Sequence, residues 1–282
     1  MENFRTEDSL LFADLKIKKN SQRILNDIVI NGSSKFPESH KRNLMRLYAN
    51  RTFNQDGLQK VFKEIEEYRF VKQTKYPEIL FTQDSTKIYV YLEKAKSNRF
   101  DGFIGFSNEE DGKFSFNGYL DILLHNILNS GEQFLIYWKN DGKKQTSFNI
   151  GLQVPYLFKS PIGIKAELNI FKKDSTFQNT NTSIDLGYFF NYNSQLYLGY
   201  QATESSDIQN VNSSFISDFT NSFITSQYEF TKFKTDDFLF PEKTVFHFKI
   251  GLGKRDSKTD SQNQVFGKME LRHNFYLNAK NI

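Results

Sequence analysis

Four histidines, His40, His125, His247 and His273, are the first side chains to test for metal or proton-transfer chemistry. None has a partner at ligand spacing, so they do not make a metal site. Cysteine is absent, which removes both a thiolate centre and a disulfide framework. No G-x-S-x-G elbow, P-loop or dinucleotide fingerprint occurs. Asp111-Gly112-Lys113 and Asp141-Gly142-Lys143 could be mistaken for phosphate cradles, but no helix follows either, so both are turn signals. The carboxylate pairs Glu109-Glu110 and Asp236-Asp237 fall in loops or strand ends. Glu66-Glu67 falls on the polar side of a helix. Solvation explains all three pairs better than acid–base work does. The expectation is a protein that is not an enzyme and holds no cofactor.

The elements that would have to position chemistry are of one kind from about residue 100 onward. Apolar and polar residues alternate, strand after strand, with turns between. Phe114, Phe116, Leu120, Ile122 and Leu124 share a face opposite Ser115, Asn117, Tyr119 and Asp121. The same pattern returns at Phe134–Trp138, at Phe148–Val154, at 162–170, at 184–190, at 196–200 and at 246–252, and it closes with Val265, Met269, Leu271, Phe275 and Leu277. The segment 219–234 follows it less cleanly. About ten strands result, most of them long enough for the ~9–11 residues a tilted strand needs to cross a bilayer. Soluble strands average about 5–6 residues. The chain is polar on average, with a mean hydropathy of -0.59, yet 16% aromatic with 30 Phe and 14 Tyr. A barrel wall with lipid on one side and a wet interior on the other has that composition. Phe and Tyr near strand ends would form interfacial girdles, or would fill a sandwich core if the protein is soluble. Polar stretches at 204–217 and 255–264 read as long exposed loops, and the remaining turns are short, as at the two ends of a barrel.

Before the wall, residues 21–96 read as a small α+β module. Ile24, Ile28 and Ile30 line one side of a strand ending at Asn31-Gly32. Pro37 opens a helix whose buried stripe is Leu44, Leu47 and Tyr48. Asn54 caps a second helix with Leu58, Val61, Phe62 and Ile65 on its core face. A strand from Phe70 through Phe81 and another over 87–94 complete a β-α-α-β-β order. Residues 1–20 hold one apolar stretch, 10–17, assigned to an upstream strand or linker. The net charge is +4, from 37 basic and 33 acidic residues. These charges are interspersed, with no basic stripe for nucleic acid.

Ile28-Val29-Ile30-Asn31-Gly32 in that order of elements resembles a POTRA domain. The passage from Lys87-Ile88-Tyr89-Val90 into Asn98-Arg99-Phe100-Asp101-Gly102-Phe103 resembles a last POTRA strand entering a first barrel strand. Gly118–Glu132 resembles the second barrel strand and its turn, and Gln153-Val154-Pro155-Tyr156 with Ser160-Pro161-Ile162-Gly163 resembles the next hairpin. In sequence over about residues 21–280, these resemble the BamA/TamA family of outer-membrane assembly proteins, also called bacterial surface antigens. The implied fold class is mainly β: a partial transmembrane antiparallel barrel over 97–282, preceded by the POTRA-like domain at 21–96. The resemblance implies an outer-membrane location with the POTRA-like domain in the periplasm. Its implied partners are unfolded outer-membrane protein clients, membrane lipid and accessory lipoproteins. It also implies a sideways-opening seam at the first barrel strand, near 98–107. The candidate client-binding residues there are Phe100, Gly102, Phe103, Ile104, Gly105 and Phe106. Gly102 and Gly105 would either weaken pairing at a gate or allow wall curvature. The family carries about sixteen strands, several POTRA domains and a signal peptide. Residues 1–8 are polar and acidic, so the chain is expected to be an internal fragment. A two-partner secretion transporter, a membrane anchor for an upstream lipase-like enzyme, and a soluble β-rich binding protein are the alternatives.

Overall fold

A computed structural model describes residues 2–7, 10–14, 16, 22–33, 35–108, 114–142, 145–173, 176–207, 218–234 and 242–275. At the start, β1 (Glu2–Glu7) pairs with β2 (Leu10–Asp14) as an antiparallel hairpin. The expected strand at 10–17 thus ends at Asp14 and has a partner.

The module comprises β3 (Leu25–Asn31), α1 (Glu38–Tyr48), α2 (Gln55–Glu66), β4 (Val71–Gln73), β5 (Glu78–Phe81) and β6 (Thr86–Lys94). In β6, Thr86, Ile88, Val90 and Leu92 alternate inward, which makes it the central strand. On one side it pairs parallel with β3, and β5 and β4 follow one another antiparallel to it. The single strand expected from Phe70 through Phe81 is therefore broken. Residues 74–77 stand opposite only 90–91, and Pro77 cannot donate to a ladder. Asn54 caps α2 as expected, accepting the Gly57 amide at 2.6 Å. Ile28, Leu44, Leu58, Val61, Ile65, Ile88 and Val90 form the module's core, each buried side chain contributing about 1.5–3 kcal/mol. Two expectations need correction. Ile24 is 49% exposed, because it lies outside β3 in an isolated bridge to Thr52. The buried stripe of α1 is His40, Asn43 and Leu44 rather than Leu44, Leu47 and Tyr48.

The wall is one antiparallel sheet in chain order: β7 (Arg99–Asn108), β8 (Phe114–His125), β9 (Gln133–Asp141), β10 (Gln145–Val154), β11 (Ile162–Lys173), β12 (Phe177–Asn191), β13 (Ser194–Asp207), β14 (Phe219–Phe233), β15 (Glu242–Ser257) and β16 (Ser261–His273). The ten strands match the expected number, and the fold is mainly β. The segment at 219–234 is a full strand, paired on both sides. The turn signal at Asp111-Gly112 lies outside the described residues. The expected loop at 255–264 is instead the ends of two strands around a turn at 258–260. Its polar residues stay in the ladder, with Arg255 opposite Gln262 and Asp256 opposite Ser261. Connections of two or three residues occur at both ends of the sheet, at 192–193 and 258–260, so the expected sorting of short turns to one end is not seen.

The two faces of the wall invert those of a water-soluble sheet. On β12, Ile184, Leu186, Tyr188 and Phe190 are 53%, 56%, 39% and 47% exposed, while Ser183, Asp185 and Phe189 between them are buried. The exposed row continues across Leu196 and Leu198 on β13, Ile224 on β14, Ile250 and Leu252 on β15, and Val265 and Met269 on β16. A band this wide does not persist in water unless something apolar covers it. The polar face is concave. Lys165 on β11 reaches Glu229 on β14 at 2.7 Å, although two strands lie between them. In a flat sheet, about 14 Å would separate their backbones at ~4.8 Å per strand.

Candidate functional site

The first part of the site is β7, an edge strand. Among the described residues it pairs only with β8, and the far edge belongs to β16. All six candidate client-binding residues fall on it. Phe100, Gly102, Ile104 and Phe106 lie opposite Ile122, Leu120, Gly118 and Phe116 on the apolar side. Phe103 and Gly105 lie opposite Tyr119 and Asn117 on the concave side. Phe100, Phe103, Ile104 and Phe106 are between 56% and 77% exposed. The concave side is polar: Arg99 pairs with Asp121 at 2.9 Å and the Tyr119 hydroxyl donates to Asp101 at 3.0 Å. The Phe103 ring packs edge-on to Tyr119.

Glycine sets how closely β7 and β8 approach. A Cβ at Gly102 would lie 2.7 Å from the Tyr119 carbonyl oxygen. Gly118 on β8 has φ +152°, and a Cβ there would lie 2.2 Å from the Phe103 carbonyl oxygen. Register is unbroken from Arg99 to Asn108. Gly102 and Gly118 therefore sit at points of close backbone approach in a paired hairpin, whereas a Cβ at Gly105 would meet the Asn117 side chain.

The second part is the junction of module and wall. Among the described residues, the wall groups hydrogen-bonded to the module cluster at one end of the sheet. Asn126 donates to the Lys35 carbonyl at 3.2 Å. Asn43 donates to the Ser160 carbonyl at 3.2 Å. Arg46 donates to the carbonyls of Phe189 at 3.0 Å and Phe190 at 3.3 Å. The amides of Tyr192 and Phe233 donate to Glu64 and Glu67, at 3.0 and 3.1 Å. The Arg69 guanidinium stacks over the Phe233 ring at 3.9 Å. At the centre, His40 is fully buried among Tyr68 and Phe70 of the module and Tyr156 of the wall, with ring centroids at 5.1, 5.2 and 4.8 Å. Tyr156 is held by a turn in which Tyr156, Phe158 and Lys159 all have φ between +53° and +61°. Such backbone persists only where the surroundings fix it.

Burial governs the electrostatics of this junction. It holds the His40 imidazole neutral, its pKa pushed down to about 3. Burial also raises the Glu64 and Glu67 carboxyls, against the pull of the amides they accept. Glu67 is thus a docking residue, correcting its reading as surface polarity. Sequence reasoning missed the whole junction. The signal present was two polar residues, His40 and Asn43, on the same helix stripe as Leu44. Among the described residues, no cluster of three His, Asp or Glu could hold a metal ion. No described helix is long and apolar enough to cross a membrane.

No known family profile and no curated protein matches the sequence. Solved structures do. CdiB from Acinetobacter baumannii is 12% identical, over 89% of this chain and 48% of its own, with a TM-score of 0.55. BamA from Haemophilus ducreyi lacking POTRA domains 1–3 is 13% identical, over 84% and 56%, with a TM-score of 0.49. CdiB from Escherichia coli is 10% identical, over 86% and 61%, with a TM-score of 0.35. The chain shares the fold of the Acinetobacter protein over most of its own length and spans about half of that protein.

Proposed function

We propose that the chain is part of an outer-membrane assembly or translocation protein, with its sheet in lipid and its module, a POTRA-like domain, in the periplasm. The observation that carries this reading is the sheet itself: ten strands of 9–16 residues, apolar on the convex face and, among the described residues, ending at β7 in an edge paired on one side only. An unpaired edge in hydrocarbon leaves backbone groups without partners, at several kcal/mol for each group in lipid. An incoming extended polypeptide removes that cost by adding a strand to β7. Phe100, Ile104 and Phe106 then face lipid beside the client's own apolar residues, while Phe103 faces the interior. No bond is made or broken. Burial of the client's apolar face in lipid drives insertion. In the module, β3 and β5 offer further edges for a client or an accessory lipoprotein.

The test is a photo-crosslinking residue at Phe100 or Ile104 in the full-length protein in cells. Adducts with newly made outer-membrane barrel proteins are expected there and not from Leu198, in mid-wall. Adducts with a single secreted partner would instead support the two-partner secretion reading. An edge strand that yields no more adducts than Leu198 would contradict strand addition at β7.

A further inference from the structure

A cleft of about 450 Å³ lies between α2 and the rim of the wall where β14 and β15 meet. Lys60 and Lys63 line it from the helix, and Lys232, Lys234 and Lys243 from the rim. Lys60, Lys63 and Glu64 on α2 and Glu67 at its C-cap share one face by their i, i+3, i+4, i+7 spacing. Glu64, Glu66 and Glu67 also line the cleft, so its ammonium groups outnumber its carboxylates by two. Glu64 and Glu67 accept wall amides, and burial raises both.

The position of the cleft specifies its ligand. Phe230 lines it and belongs to the apolar outward row, opposite Phe246 and next in that row to Tyr228. The lipid-facing band thus runs directly into a cluster of lysines, with aromatic rings at the boundary. We infer that this cleft binds the phosphate of an anionic phospholipid whose acyl chains lie along the outer face of β14 and β15. The inference rests on the membrane reading above. Lysine is suited to this as a mobile point charge for phosphate, and juxtamembrane lysines attract anionic headgroups.

The experiment is native mass spectrometry of the full chain in detergent with equimolar phosphatidylglycerol and phosphatidylcholine. The protein should retain phosphatidylglycerol preferentially. The triple variant Lys63→Gln, Lys232→Gln, Lys243→Gln should lose about tenfold or more of that preference. The triple change to Arg should keep it, as should Lys72→Gln on β4, outside the cleft. Equal retention of the two lipids by the unaltered chain would overturn the inference, as would an unaltered preference in a folded triple Gln variant. If that variant does not fold, Lys243→Gln alone serves, and an unaltered preference in it overturns the inference equally. Inorganic phosphate that abolishes the preference at millimolar concentration would assign the site to free phosphate and also overturn it. A chain extracted without detergent would instead defeat the membrane reading.

Discussion

Replacing Gly131 by valine is expected to release the module from the wall. Gly131 has φ +75°, a conformation β-branched residues avoid, and a Cβ there would lie 1.9 Å from His40 Cε1. His40 cannot retreat, because Tyr68, Phe70 and Tyr156 enclose it. Backbone strain and overpacking together should cost about 3–5 kcal/mol. Cleavage by protease within the linker at 95–98 should then accelerate at least tenfold, and unaltered cleavage would show that His40 is not the pin. The same junction should loosen in acid. The docked imidazole has a depressed pKa, so its contribution is complete above the ordinary value of 6.5 and is lost as pH falls towards 3. At pH 4.5, two pH units below the undocked value, the loss should be on the order of 3 kcal/mol. Glu64 and Glu67 act in the opposite sense. Their docked pKa values are raised, so the penalty they impose at neutral pH is relieved as they take up protons. His40→Gln separates the two, because it should remove the loss that begins near pH 6.5.

Gly118→Val is expected to strip β7 from the wall. The added Cβ would meet the Phe103 carbonyl oxygen at 2.2 Å and Ile104 Cα at 3.1 Å. Both are backbone atoms, so relief requires the strands to part. The cost should be about 3 kcal/mol or more, from overpacking and lost ladder bonds together. Hydrogen exchange should accelerate across Arg99–Asn108 and remain slow in β12. Gly267→Val on β16 is the matched control, since nothing lies within 4 Å of its Cβ; its effect should stay within ~0.5 kcal/mol. Equal exchange in β7 of the Gly118 variant and the unaltered chain would show that the β7–β8 contact is not close-packed.

The wall was legible because strand alternation is a local property. Ile184 through Phe190 states in seven residues which side is apolar, and the structure places each as the period requires. Asn54 was legible for the same reason, as its cap acts three residues away. What sequence could not show were contacts made across more than a hundred positions. His40 meets Tyr156, Glu64 meets Tyr192 and Glu67 meets Phe233 only once two units dock. Each looks like ordinary surface polarity beside its chain neighbours. The loop assigned at 255–264 failed differently. Polarity there marks where the outward band ends, and the ladder continues past it because backbone pairing does not depend on side-chain polarity. The β7 edge was placed within one residue, since Asn98–Ser107 was expected and Arg99–Asn108 is found.

The central claim is that the convex face of the sheet lies in lipid. The absence of native cysteine makes single-cysteine labelling direct. A polarity-sensitive fluorophore would be placed at each position from 183 to 190 of the full chain in phospholipid vesicles. Lipid-borne nitroxides should quench positions 184, 186, 188 and 190 strongly and the alternating positions 183, 185, 187 and 189 weakly. Equal quenching at all eight, or quenching of the outward four only by a water-soluble agent, would contradict the account.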